Sequence, residues 1–75
     1  MNKILQAYAR KILKEDLEWL ALRDYNCIVR FKQLYSHDNM QKSLTEIIDN
    51  IPENKLDHAM VQVENTLKIK REMLE

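Results

Sequence analysis

Reactive side chains are sparse in this chain, and none recurs at a spacing that would assemble a centre. His37, His58 and the single cysteine, Cys27, are the residues with most to offer a metal ion. A metal site needs several His, Cys or carboxylate ligands brought together. Neither histidine lies one helical turn from the other or from Cys27, and Asp38 and Asp57 are only their sequence neighbours. No metal and no cofactor is expected. Nucleophilic catalysis by Cys27 or Ser36 would require a base held in place by a further group, with the nucleophile exposed at a turn or helix end. Cys27 instead shares an apolar stripe with Phe31 and Leu34, where a thiol behaves as a small hydrophobe. The chain contains no Gly, which removes the loops that cradle phosphates and the common nucleotide fingerprints. Neither an enzyme nor a small-molecule substrate is expected.

Charge offers the next candidate. The formal balance is twelve basic against twelve acidic residues, so no overall field draws the chain to nucleic acid or to an anionic membrane. Locally, Lys3, Arg10, Lys11 and Lys14 place four positive charges in the first fourteen residues, with no acid among them. On a helical wheel Lys3, Arg10 and Lys14 fall together, and this stripe is the nucleic-acid-binding alternative. A helix-turn-helix reading of the later segment fails on charge. The exposed face of its second helix begins with Glu53, Asp57 and Glu64, which would repel phosphates.

Those side chains must be carried by helices. With no Gly and the only Pro at position 52, nothing before that residue is a strong helix breaker. The pattern predicts a long N-terminal helix over about residues 2–35, a short one over about 39–50 and a C-terminal one over about 52–75, arranged as a helical hairpin or three-helix fold in a single all-α domain spanning 1–75. In the first half of the long helix, Ile4, Leu5, Tyr8, Ala9 and Ile12 share a face. In the second, Cys27, Ile28, Phe31, Leu34 and Tyr35 do, displaced by roughly a quarter turn. Between the two, Leu17, Trp19, Leu20, Ala21 and Leu22 point nearly all round the helix. A break near Arg23 to Asn26 is the rival, because Asp24 and Asn26 are weak helix formers.

Further along, Ser36 to Asn39 is the first loop-type cluster, and Asp38 with Gln41 has the form of a capping box. Met40, Leu44, Ile47, Ile48 and Ile51 then form one narrow stripe. Pro52 suits the start of a new helix, and Leu56, Met60, Val63, Leu67 and Leu74 follow at alternating spacing with Lys70 as the polar occupant of the seam.

A chain of 75 residues builds only a marginal core alone, and one cysteine allows no internal disulfide. The surplus apolar surface of the first helix therefore predicts self-association as a homodimer and a non-enzymatic role as a protein-protein interaction module that regulates, bridges or inhibits a larger partner. Trp19, Tyr25 and Val29 are the protein-binding candidates, Tyr25 and Val29 because they fall off the second stripe. No apolar run approaches the roughly 20 residues needed to span a bilayer, and the lone thiol suits a reducing, cytoplasmic setting. Far-ultraviolet circular dichroism should show a helix-dominated spectrum; substantial strand content would rule this fold class out.

Overall fold

The computed structural model describes residues 2–36 and 41–74. Among these are four helices and no strand: α1 (Lys3–Ala21), α2 (Asn26–Tyr35), α3 (Leu44–Asp49) and α4 (Glu53–Leu74). The all-α class and the long helices at both ends follow the sequence pattern. The unbroken helix over 2–35 does not form; it divides into α1 and α2, as the rival reading had it.

Local hydrogen bonds explain the division. The Leu20 carbonyl accepts from both Arg23 N–H at 3.0 Å and Asp24 N–H at 2.7 Å, so the last turn of α1 tightens and closes. The Asp24 side chain accepts from Asn26 N–H at 3.1 Å, and its carbonyl accepts from Cys27 N–H at 3.1 Å, which starts α2. Arg23 Nη1 donates to the Trp19 carbonyl at 3.0 Å and covers an end of α1 that lacks backbone partners. Leu22 and Tyr25, at either end of the turn, are in right-handed helical geometry, so neither position requires Gly.

The other helix starts are capped conventionally. Asn2 Oδ1 accepts from Leu5 N–H at 2.8 Å, and Ser43 Oγ accepts from Glu46 N–H at 3.2 Å. The second helix thus begins at Leu44 and not near residue 39; Gln41 lies in a turn ahead of it. Ser43 and Glu46 have the spacing of a capping box and set the start. The proposed box at Asp38 falls, with His37, Asn39 and Met40, outside the described residues. Glu53–Leu74 matches the expected C-terminal helix closely.

One core gathers the helices. Ala9, Leu13, Leu17 and Leu20 of α1 meet Ile28 and Phe31 of α2, Ile47, Ile48 and Ile51 around α3, and Leu56, Ala59, Val63 and Leu67 of α4. The stripe on α1 therefore runs through Leu13 and Leu17. Of the face expected to pack at its beginning, Ala9 is buried, whereas Ile4, Leu5 and Tyr8 are 81, 53 and 62 % exposed. The quarter-turn shift between the stripes has a plain cause: the chain reverses at Leu22–Tyr25, and both faces enter the same core.

Contacts between side chains set the directions. Asp24 pairs with Lys70 at 2.7 Å at one end, while Tyr35 reaches Gln62 and His58 at the other, so α2 runs antiparallel to α4. Since α2 also folds back along α1, α1 and α4 run the same way. α3 lies across the early part of α1 and is fastened there by two cations. Lys14 Nζ pairs with Asp49 at 2.9 Å, and the Arg10 guanidinium donates to the carbonyls of Ile48 and, at 3.0 Å, Ile51. Pro52 has no N–H, so the Ile48 carbonyl loses the donor that a continuing helix would have supplied. Arg10 takes its place.

Charged hydrogen bonds of this kind contribute about 1.5–3 kcal/mol each. Arg10→Met should destabilise the protein by roughly 2–4 kcal/mol in urea unfolding because it removes the charged donor from both carbonyls, leaving Ile48 O with the long 3.3 Å bond from Ile51 N–H. Arg10→Lys should recover only part of that loss, because an ammonium lacks the forked geometry. A neutral outcome for Arg10→Met would remove the fastening role.

Candidate protein-binding groove

α2 and α4 do not close on one another along their length. Tyr35 of α2 makes polar contacts with α4 at one end and Asp24 in the α1–α2 corner pairs with Lys70 at the other, and between them an open groove of about 290 Å³ lies over α1. Leu17 and Leu20 form its floor, Cys27, Arg30, Phe31 and Leu34 line the α2 side, and Gln62, Val63, Asn65 and Thr66 line the α4 side. Spacings of three and four residues put each set on one side of its helix. The leucines of the floor belong to the core, whereas Leu34 is 58 % exposed and forms the apolar lip.

The end contacts hold this opening. At one, the Tyr35 hydroxyl donates to Gln62 Oε1 at 3.4 Å and lies 3.4 Å from His58 Nδ1. Phe31 supports the tyrosine, with ring centroids 4.8 Å apart, and burial pushes the phenol up from its ordinary range. At the other, the hydrogen bond from Lys70 holds the Asp24 carboxyl below its usual range, and the same contact raises Lys70. Lys70, the polar residue in the seam of α4, is thus the group that fastens α4 to the corner between α1 and α2. The pair is complete above the carboxylate range and below the lysine range, and is lost as pH falls through the one or rises through the other.

Burial, with a smaller contribution from Asp24, pushes the Cys27 thiol up, which lowers its thiolate fraction. Buried Ser36 turns its hydroxyl onto the Lys32 carbonyl one turn back. Among the described residues no three His, Cys, Asp or Glu side chains converge as a metal site would require, and no described helix is long and apolar enough to cross a membrane.

The residues singled out from the sequence lie elsewhere. Trp19 is half-buried against the core, with the Arg23 guanidinium 3.8 Å and that of Arg71 5.6 Å from its ring centroid. Tyr25 is exposed beside Leu22 at the α1–α2 corner, and Val29 is half-buried one turn further on. Neither lines the groove. Of the basic stripe, Lys3 is exposed, while Arg10 and Lys14 are brought together on the end of α3 as described above. The groove residues missed by sequence reading carried a partial signal, since Cys27, Phe31 and Leu34 were on one stripe. Nothing in that stripe marks Leu34 as the member left uncovered.

No protein-family model matches the chain, and neither the curated proteins nor the solved structures compared with it gave a match.

Asp16, on the side of α1 toward α4, carries the clearest electrostatic penalty. Burial raises its carboxyl; Arg71 opposes the shift, and Glu15 and Glu64 add to it. A carboxyl with a raised folded pKa binds its proton more tightly folded than unfolded, so it costs stability when ionised and the cost fades as pH falls. Asp16→Asn should therefore raise the unfolding midpoint near pH 7 and lose that advantage below the ordinary carboxylate range. An unchanged or lower midpoint at neutral pH would contradict it.

Proposed function

We propose that the protein is a non-enzymatic interaction module that binds a larger protein, which it regulates, bridges or inhibits, and that the groove between α2 and α4 is the surface it uses. The observation that carries this reading is the groove itself: core leucines form its floor, an exposed leucine forms its lip, and neutral polar side chains edge it. A concave apolar surface with a polar rim is the form in which helical modules receive partners. The exposed corner at Leu22 and Tyr25 is an alternative surface. A free, partly covered thiol at Cys27 suits a cytoplasmic setting.

Self-association has its own observation in favour of it. Ile4, Leu5 and Tyr8 form an exposed apolar ledge at the start of α1, turned away from the stripe through Leu13 and Leu17 that enters the core. A homodimer would cover it. The nucleic-acid alternative draws less support, because Arg10 and Lys14 already hold carbonyls and a carboxylate of α3, leaving Lys3 as the exposed cation of that stripe.

Copurification with the protein from its native host, followed by cross-linking, separates the surfaces. Leu34→Asp should abolish partner capture without unfolding the chain, whereas Tyr25→Asp and Val29→Asp should leave it intact; the reverse pattern would move the interface to the corner. Sedimentation at micromolar concentration should show a dimer that Ile4→Asp with Tyr8→Asp converts to monomer. A wild-type monomer would discard the dimer alone. Salt-sensitive binding to DNA or RNA, lost when Lys3, Arg10 and Lys14 become Glu, would overturn the class.

A further inference from the structure

Building on the reading of the groove as the binding surface, we propose that its occupant is an amphipathic helix of a partner protein that carries a carboxylate beside its apolar anchors, with Arg30 receiving the carboxylate. Shape and length come first. α2 and α4 are antiparallel walls over the floor of α1, so a further helix laid between them completes a bundle. From Cys27 to Leu34 the α2 wall rises about 10 Å, which is the span from i to i+7 on a docking helix and accommodates anchors at i, i+3 or i+4, and i+7. No strand occurs among the described residues, so a peptide has no sheet edge to extend.

Charge then selects the face of that helix. Arg30 is the one charged side chain among the residues lining the groove. Among the described residues it makes no ion pair or hydrogen bond, and it acts on Asp24 only through space. Asp24, the acid it influences, is already held by Lys70. On the opposite wall Gln62, Asn65 and Thr66 are neutral, so an incoming carboxylate meets an uncommitted cation and no lining anion. A lysine at the same place would meet like charge beside a partly desolvated surface.

The test is selection from a yeast-displayed library of amphipathic helical peptides with randomised charge positions, using the intact protein and its Arg30→Glu variant as baits. Because Arg30 is exposed and has no hydrogen-bond partner among the described residues, both baits should fold, which circular dichroism checks. Wild type should enrich peptides with Asp or Glu within a turn of the apolar anchors, and the variant should enrich Lys or Arg there. The best acidic peptide should lose about tenfold in affinity on Arg30→Gln, as expected for one interfacial charge pair. Its amide shift changes should centre on residues 27–34 and 62–66. Enrichment without charge inversion, binding in extended form, or shifts centred elsewhere would each overturn the proposal. So would decanoate occupying the same amides when no helix is selected, which points to a small amphiphile. Dissociation of a dimer by Leu34→Asp would assign the groove to a second copy of the chain and also overturn it. If no helix is selected but Leu34→Asp still abolishes capture of the native partner, this proposal falls and the groove reading stands. If that capture survives, the groove reading itself falls.

Discussion

The reversal at Leu22 to Tyr25 governs the rest of the molecule. Without it, α1 and α2 would form a single rod of roughly 50 Å with its two apolar faces pointing in different directions. The turn places Ile28 and Phe31 against Leu17 and Leu20, so surface that looks surplus along a rod becomes interior. It is made by Asp24, whose side chain and carbonyl both accept from the start of α2, and by Arg23, which covers the end of α1. The same Asp24 receives Lys70 and so ties the far end of α4 to the corner. A short carboxylate thus ends one helix, begins another and anchors a third.

Cations elsewhere in the chain are used in the same structural way. Pro52 turns the chain from α3 into α4 at the cost of one backbone donor, and Arg10, from an element nearly forty residues earlier in sequence, supplies the replacement. Lys14 adds its pair with Asp49 on the same end of α3. What resembles a basic stripe along α1 is to that extent the attachment of a short helix.

The groove follows from unequal lengths and from where the polar contacts fall. At about 15 Å, α2 covers only part of α1, and its polar contacts with α4 lie at the ends. Between them the walls carry Leu34 and Arg30 on one side and amides and a hydroxyl on the other. These leave the leucine floor approachable. The uncovered ledge at Ile4, Leu5 and Tyr8 has a different origin, since these residues face away from the stripe that α1 buries.

Sequence alone determined what depends on short-range geometry. Absence of Gly and strand pattern specified helix, Pro52 specified where the last helix begins, and three- and four-residue spacing identified Ile47, Ile48, Leu56, Val63 and Leu67 as buried. Each depends on neighbours within a turn or two. The cap at Ser43 was equally local; the Ser43–Glu46 pair lies in the open beside a more conspicuous polar cluster. Tertiary structure alone decided which partners met across the fold. A quarter-turn shift of an apolar stripe suits either a rod with two neighbours or a chain that doubles back, and the choice lay with the balance at Asp24 and Asn26. The use of Arg10 and Lys14, the pairing of Lys70, and the exposure of Leu34 beside buried Phe31 all turn on contacts between residues far apart in the chain, which periodicity does not encode.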